Sequence, residues 1–397
     1  MPEAVISDEM IADMQQKVGL ELRIDHSVFN EEATRIAILK FVGGVGDPNP
    51  LWQDVEYAEA SVYGGLVAPP SFVMGCFSGL QFGWPGLGAF HSESTIRYRR
   101  PIRLGDVIRP TCTYQGFDGP KPSRFADRMV VDRFYNEYHN QHGEAVADIH
   151  WNVINYERAR ARKKSEEGDR AQRGTKGEGK AASTPTLPHP WLPEELEEIE
   201  AAIVAESPRG SQPRYYEDVE VGDSLDEIIK GPIGMTDEVA FVAGGGAPIP
   251  RLSAHRFALL EYGKHPAWAF RDPETSALEP IYSVHYNRHA AIAMGVPMQY
   301  DVGFQRQCWH TQLLTDWMGN SGWIKRSSAQ YRGFVYHGDV IRLAGEVIRR
   351  FVDNEGEPCI EVSTRAQNQR GDDVMPGDAI IALPSRTREA TPVSIRL

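Results

Sequence analysis

Cysteine is scarce in this chain: Cys76, Cys112, Cys308 and Cys359 are the only four in 397 residues. None belongs to a Cys-x-x-Cys pair, so their spacing suggests neither a zinc site nor a redox motif. Their neighbours are mostly apolar, which reads as buried thiols in a reducing compartment. Long apolar runs are missing too; nothing approaches the roughly 18 residues of a membrane-crossing helix. The opening stretch, MPEAVISDEMIADMQQKVG, carries acidic groups and no apolar core of a secretory signal. A cytoplasmic protein is the expectation. Positive charge is in deficit, with 42 Lys and Arg against 55 Asp and Glu and a net charge of −13. That argues against nucleic acid and anionic membranes as general partners, but leaves room for a local basic cluster that meets an anionic ligand.

Hydrophobic residues make up 41% and charged residues 24% of the chain, an ordinary globular balance. Large apolar side chains run out only between about Glu157 and Ser183, ERARARKKSEEGDRAQRGTKGEGKAAS. Such a stretch cannot offset the entropy of ordering and reads as a linker. After it, TLPHPWLPEELEEIEAAIVAES predicts a helix that starts near Pro193 with acidic residues in its first turn. The expected division is a domain over 1–157, a charged linker plus helix over 158–212, and a second domain over 213–397.

The two halves repeat each other. YRRPIRLGD (Tyr98 to Asp106) is followed by VIRPTCTYQGF, and YRGFVYHGD (Tyr331 to Asp339) by VIRLAGEVIRR. The shared frame, Tyr-Arg-x5-Gly-Asp-Val-Ile-Arg, recurs at an offset of 233 residues. Alternating side chains after each Gly-Asp predict long half-buried strands, among them RMVVDRFYNEY, AVADIHWNVINYE and CIEVSTRAQNQ. Each half also holds one apolar segment of helical length, Pro70 to Phe82 and Phe304 to Met318. One central helix with several antiparallel strands, twice over, is an α+β plan.

GDPNPLWQDVEYAEASVYGGLVAPPSF (Gly46 to Phe72), with PIRLGD (Pro101 to Asp106) downstream, resembles the MaoC-like hotdog family. In that family a Gly-Asp-x-Asn-Pro-x-His loop leads into the hotdog helix, and a Pro-x-x-x-Gly-Asp element precedes the long strands. YYEDVEVGDSLDEIIKGPIGMTDEVAFVAG (Tyr215 to Gly244) looks like the entry to a second such domain. PIYSVHYN, YDVGFQR, LLTDWMGN and the late LPSR resemble the C-terminal half of the tandem acyl-dehydratase subgroup. The resemblance implies a double hotdog in which each half wraps an antiparallel sheet around a central helix. It also implies hydration of a 2-enoyl-CoA or dehydration of a 3-hydroxyacyl-CoA. Coenzyme A would enter only as carrier of the substrate, with no resident cofactor or metal, and the chain would form a homodimer or higher homo-oligomer.

The family's Asp and His are divided between the halves. Asp47 and Asn49 occupy the Asp and Asn places of the first half, while Trp52 holds the His place. Carried across by 233 residues, the His place falls on His285, the Asp place on Pro280 and the Asn place on Tyr282. Asp47, before Pro48, also reads as a turn or helix-cap aspartate, Asn49 as a turn residue and His285 as a buried imidazole. Gly303 falls where the family's helix begins, so that its N–H, with the positive end of the helix behind it, would face a thioester oxygen; a plain turn glycine is the other reading. Asp301 replaces the lost acid or pairs with Arg306. In the first half, Pro69 and Pro70 offer no N–H at that place. This favours the second cleft as the reacting one, with His285 as base, Asp47 or Asp301 as acid and Gly303 as oxyanion donor.

The expected substrate contacts are Asn49, Tyr282, Gln305, Arg306 and Arg99. The last belongs to the run Arg97, Arg99, Arg100 and Arg103, which reads either as an anchor for coenzyme A phosphates or as a solvated strand face. Phe77, Phe82, Trp84 and Phe90 read as core or as pocket wall, with GWPGLG (Gly83 to Gly88) as a gating loop. The split Asp and His also fits a non-catalytic acyl-CoA-binding module, and a hotdog thioesterase is a further alternative.

Overall fold

Strict alternation of buried and solvent-facing side chains shapes the long strands. In Met129–His139, Val130, Asp132, Phe134, Asn136 and Tyr138 face inward, and in Pro358–Asn368, Ile360, Val362, Thr364, Ala366 and Asn368 do so. The computed structural model describes residues 4–24, 30–76, 79–80, 83–122, 128–159, 185–246 and 252–387. The segment 162–183, read from its composition as a linker, lies outside them, as do Phe77 and Phe82.

Nine strands form one antiparallel sheet. The first half supplies β1 (Gly88–Tyr98), β2 (Arg109–Lys121), β3 (Met129–His139) and β4 (Ala145–Tyr156). The second supplies β5 (Ser224–Lys230), β6 (Trp323–Gln330), β7 (Ile341–Val352), β8 (Pro358–Asn368) and β9 (Gly377–Ala382). Their spatial order is β2-β3-β4-β1-β6-β9-β8-β7-β5. The halves therefore meet at a β1–β6 seam, which runs from Arg97 opposite Arg326 to Glu93 opposite Gln330. In the middle of it Thr95 pairs with Ser328, its own repeat mate 233 residues on, and the two hydroxyls are 3.0 Å apart. A local twofold passes through that pair.

Helix α1 (Asp8–Gln16) is capped by Ser7, and α2 (Arg35–Val45) by Thr34. Gly46, at φ 72°, ends α2 in the left-handed conformation that glycine adopts without strain. Helix α3 (Pro193–Ala205) begins on its proline with Glu194 and Glu195 in the first turn. Then follow α4 (Met235–Ala243), α5 (His255–Lys264), α6 (Arg288–Ala293) and α7 (Gly303–Met318). Helix α7 is the central helix, and every residue from Gln305 to Thr315 is buried. Among the described residues the first half has no long counterpart. Pro70–Gly75 is a short 3-10 turn, and Gly79–Leu80 pairs as a small ladder with Arg23–Ile24. Two prolines without N–H groups and a glycine pressed onto the Gly245 carbonyl, where a Cβ would sit 2.4 Å away, leave no room for a regular helix.

Helices α2 and α4 cross at close range. A Cβ on Gly44 would lie 2.7 Å from the Ala240 carbonyl oxygen, and one on Gly244 would lie 2.6 Å from that of Lys40. The contacts are reciprocal: Gly244 and Ala240 each follow Gly44 and Lys40 by 200 residues. The main apolar core runs through both halves, from Phe41, Phe72 and Ile96 to Trp309, Leu313 and Ile324. Among the described residues no helix is long and apolar enough to cross a membrane.

Candidate functional site

Two buried polar clusters lie along α7. The one at its N-terminus gathers Tyr282, His285, Asp301, Gly303, Gln305 and Arg306, joined by Glu238 from α4 and His91 from β1. His285 closes the 3-10 turn Ile281–His285. Its Nδ1 is 2.8 Å from the Tyr300 carbonyl oxygen, which can only accept, so Nδ1 carries the proton and Nε2 is left as a bare base. Burial pushes the imidazole down to about 4, which keeps it neutral at neutral pH. The backbone carbonyl of His285 lies 2.8 Å from His337 Nε2, which fixes the turn. The Tyr282 ring meets the imidazole edge-on at 4.6 Å, and its buried hydroxyl finds no hydrogen-bond partner among the described residues.

Asp301 forms a 2.6 Å ion pair with Arg306 Nε, both side chains being almost wholly buried. Arg306 also donates to the carbonyls of Gly333 (2.9 Å) and Val374 (3.2 Å). Burial raises Asp301 to about 6 against the pull of that guanidinium. Glu238 is fully buried. The Gln305 amide, its NH2 turned toward Glu238, donates to both carboxyl oxygens at 3.1 and 3.2 Å. Burial, with Asp301 close by, holds the Glu238 carboxyl well above the usual carboxylate range. His91 packs on Phe304 and Tyr331 at ring distances of 4.3 and 4.5 Å. A Cβ on Gly303 would stand 3.4 Å from the His91 Nδ1, in ordinary contact. An opening of about 370 Å³ is lined by Arg332, Gly333, Phe334, Tyr336, Arg370, Asp372, Asp373 and Val374 among others, and touches the cluster only through the Gly333 and Val374 carbonyls that Arg306 bonds.

The second cluster sits around the later turns of α7. Asp47 accepts from Trp52 Nε1 (2.9 Å) and from the Asn49 N–H (3.0 Å). Burial raises its carboxyl, opposed by those bonds and by Lys230. Lys230 bridges the Gly46 carbonyl (3.0 Å) and Gln312 Oε1 (2.7 Å). The cleft beside Trp52, Val67, Pro70 and Tyr98 leaves only about 20 Å³, space for roughly one water. Among the described residues one group of three carboxylates, Asp353, Glu355 and Glu357, has metal-ligand spacing, but Lys325 sits among all three at 2.5–2.9 Å.

Comparison with known proteins follows the same lines. A family model for the FAS1-like dehydratase domain region matches residues 22–149. A Streptomyces avermitilis protein described as a UPF0336 protein is 34% identical over 123 residues, 29% of this chain and 78% of the relative. The 3-hydroxybutyryl-CoA dehydratase of Methylorubrum extorquens is 27% identical over 82 residues, 20% of this chain and 52% of the relative. A solved MaoC-like dehydratase superposes on 93% of this chain and 99% of its own length, with a TM-score of 0.59 at 15% identity. The chain belongs to the MaoC-like hotdog family. Its fold is the double hotdog, and the family is one of hydratases and dehydratases.

Measured against the family's loop, the expected residues separate into two groups. Tyr282, His285, Asp301, Gly303, Gln305 and Arg306 come together. Asp47 and Asn49 do not join them. Asp47 acts electrostatically on Lys230, Asp316 and Cys308, and its own hydrogen bonds are to Trp52 and Asn49. Cys308 and Asp316 lie roughly 8 and 20 Å along the helix from Gly303 at about 1.5 Å per residue. Among the described residues Asp47 shares no hydrogen bond with His285. Asn49 is fully buried, caps Pro50–Trp52 through Leu51 N–H and reaches Asn320 at 3.4 Å. Arg99 lies apart from both clusters, half-exposed on the sheet with Asp148 at 2.8 Å. That pairing, with Arg100 on Glu144, matches the strand-face reading of the basic run. Trp84 is core, its indole donating to buried Asp132 at 3.0 Å.

Two members of the site, Glu238 and His91, are absent from the sequence reading. The helix that carries the first lies beside a second repeat. FVGGVGDPNP (Phe41 to Pro50) recurs as FVAGGGAPIP (Phe241 to Pro250), 200 residues on rather than 233. The reciprocal glycine contacts of α2 and α4 obey that shorter offset. The second half thus carries 33 extra residues between the frames, α5 among them. On that shorter offset the family's Asp place corresponds to Ala247, outside the described residues, and its His place to Leu252, whereas the 233-residue frame gives Pro280 and His285.

Proposed function

We propose that this protein is a hydro-lyase on acyl-CoA thioesters, hydrating a 2-enoyl-CoA or dehydrating a 3-hydroxyacyl-CoA at the N-terminus of α7. One observation carries the reading: a neutral, buried His285 whose Nδ1–H is tied to Tyr300 and whose Nε2 is free to take a proton. The reaction needs a base for water, an acid for the α carbon and a donor for the enolate-like thioester oxygen. His285 is the base. The Gly303 N–H, at the positive end of a 16-residue helix, is the oxyanion donor. Tyr282, Gln305 and Arg306 shape the site, and the acid is a buried carboxyl of the same cluster. The first-half cleft is nearly filled, which leaves the second half as the side that takes the substrate. No redox group or metal is required. A homo-oligomer is part of the proposal.

A second reading, a non-catalytic acyl-CoA-binding module, is favoured by the alanine at the family's Asp place. Incubation with a series of 2-enoyl-CoA and acyl-CoA thioesters decides. Loss of the enoyl chromophore with formation of 3-hydroxyacyl-CoA supports the hydro-lyase. Release of free thiol makes it a thioesterase, and binding without turnover makes it a carrier.

A further inference from the structure

A hydro-lyase of this kind must deliver a proton to carbon at neutral pH, and an ionised carboxylate cannot. The cluster holds two carboxyls near α7's first turn, in opposite surroundings. Asp301 is bound to a guanidinium at 2.6 Å, the environment of a carboxylate. Glu238 has no ion pair among the described residues, is fully buried, and its oxygens meet only neutral donors, the Gln305 amide and the Val302 N–H. The groups that act on it electrostatically are Asp301, Asp237 and Arg306, and it acts in turn on Tyr282. Two carboxyls whose surroundings push them apart in acidity are the pattern of a divided acid and base assignment. Tyr282 supplies an independent observation: its buried hydroxyl is unpartnered among the described residues, while its ring rests on His285.

Resting on the hydro-lyase reading, we infer that Glu238 is the catalytic acid that replaces the family's missing aspartate, with Tyr282, whose ring rests on His285, as its neighbour. In hydration, the oxygen of water bonds to the β carbon as His285 Nε2 takes one of its protons. The pair of electrons of the double bond becomes the enolate-like thioester, held at the Gly303 N–H. Glu238 then gives its proton to the α carbon and is left a carboxylate. The imidazolium then gives its proton to solvent water and Glu238 takes one back, so one water is added and both groups are reset. Dehydration runs the same steps backward.

The test compares Glu238→Gln, Glu238→Asp and Asp301→Asn. Glu238→Gln is expected to lower kcat about a hundredfold or more, with little change in KM, and to abolish the alkaline limb of the pH–rate profile. That limb belongs to loss of the acid's proton as pH rises. Glu238→Asp, which keeps a carboxyl on a shorter stem, should retain the limb with partial activity. Infrared spectroscopy at neutral pH gives a readout that needs no turnover: beside the carboxylic-acid C=O absorbance of Asp316, which burial raises to about 8, one further component should be lost in Glu238→Gln and persist in Asp301→Asn. Wild-type kcat and limb in Glu238→Gln, or loss of the limb in Asp301→Asn alone, would overturn the inference while the hydro-lyase reading stands. If the wild type hydrates no enoyl-CoA, that reading fails, and with it the acid's role. The infrared band still decides where the proton resides.

Discussion

Trp52 donates its indole N–H to Oδ2 of Asp47 at 2.9 Å, from the place where the family's loop carries its histidine. An indole cannot shuttle a proton in water activation, so this pair holds the loop rather than reacts. Asp47→Ala leaves the buried indole and the Asn49 N–H without their acceptor. It is expected to cost about 1–3 kcal/mol of stability, read from urea unfolding. The folded variant should keep wild-type kcat; a hundredfold fall with unchanged stability would return Asp47 to the reacting site.

His285→Ala should lower kcat about a hundredfold or more, the usual size of a general-base contribution. Because the neutral imidazole is the active form and burial places its titration at about 4, kcat/KM should be level near neutrality. It should fall only as pH drops through that value. A variant with full activity on a substrate that the wild type turns over would end the second-cleft assignment.

The α2–α4 crossing predicts a pair of overpacked variants. Gly44→Ala and Gly244→Ala would each press a methyl onto backbone, at 2.7 and 2.6 Å from the facing carbonyl oxygen. A loss of about 1–3 kcal/mol, or more, is expected for each. Gly43→Ala, with nothing within 4 Å of the new Cβ, should be neutral or stabilising. Equal effects at residues 43 and 44 in thermal unfolding would contradict the crossing.

Stability should also depend on His310, which is fully buried with Nε2 2.9 Å from the Thr364 hydroxyl. Burial lowers it to about 4, below its ordinary value of 6.5. The unfolded chain therefore binds the proton more readily, and the contribution is complete above about 6.5 and lost as pH falls through 4. Between pH 7 and pH 5 this amounts to about 2 kcal/mol. His91 and His285, also lowered by burial, act in the same direction, and Asp132 and Asp301, raised to about 6, oppose them. His310→Gln should lose less stability than wild type over that interval in parallel urea titrations. An unchanged difference would mean that His310 is not the proton-linked group.

The double hotdog was legible because the Tyr98 and Tyr331 frames recur with their strands, and α7 because Phe304, Cys308, Trp309, Leu313, Leu314, Trp317 and Met318 recur at helical spacing. The first half's helix was misjudged since apolar content says nothing about Pro69, Pro70 and the backbone packed against Gly75. His285 could be located by carrying a position across the repeat. Glu238 could not: in MTDEVAFVA it reads as an ordinary first-turn acid, next to the similar Asp237. Only the packing of α4 against α7 takes one of those two neighbours out of water. Using a single offset where the chain has two also hid the correspondence of Asp47 with Ala247.

The Thr95–Ser328 seam means that neither half is a free-standing unit. A fragment ending near residue 159 would have β1 as an open border, with a full ladder of N–H and C=O groups facing outward. The complementary fragment would bare β6 in the same way. Each border is shaped to accept a strand in antiparallel register, and the nearest one in a concentrated sample is that of another identical fragment. Separately produced halves should therefore self-associate through these borders, while equimolar mixing should restore a soluble heterodimer.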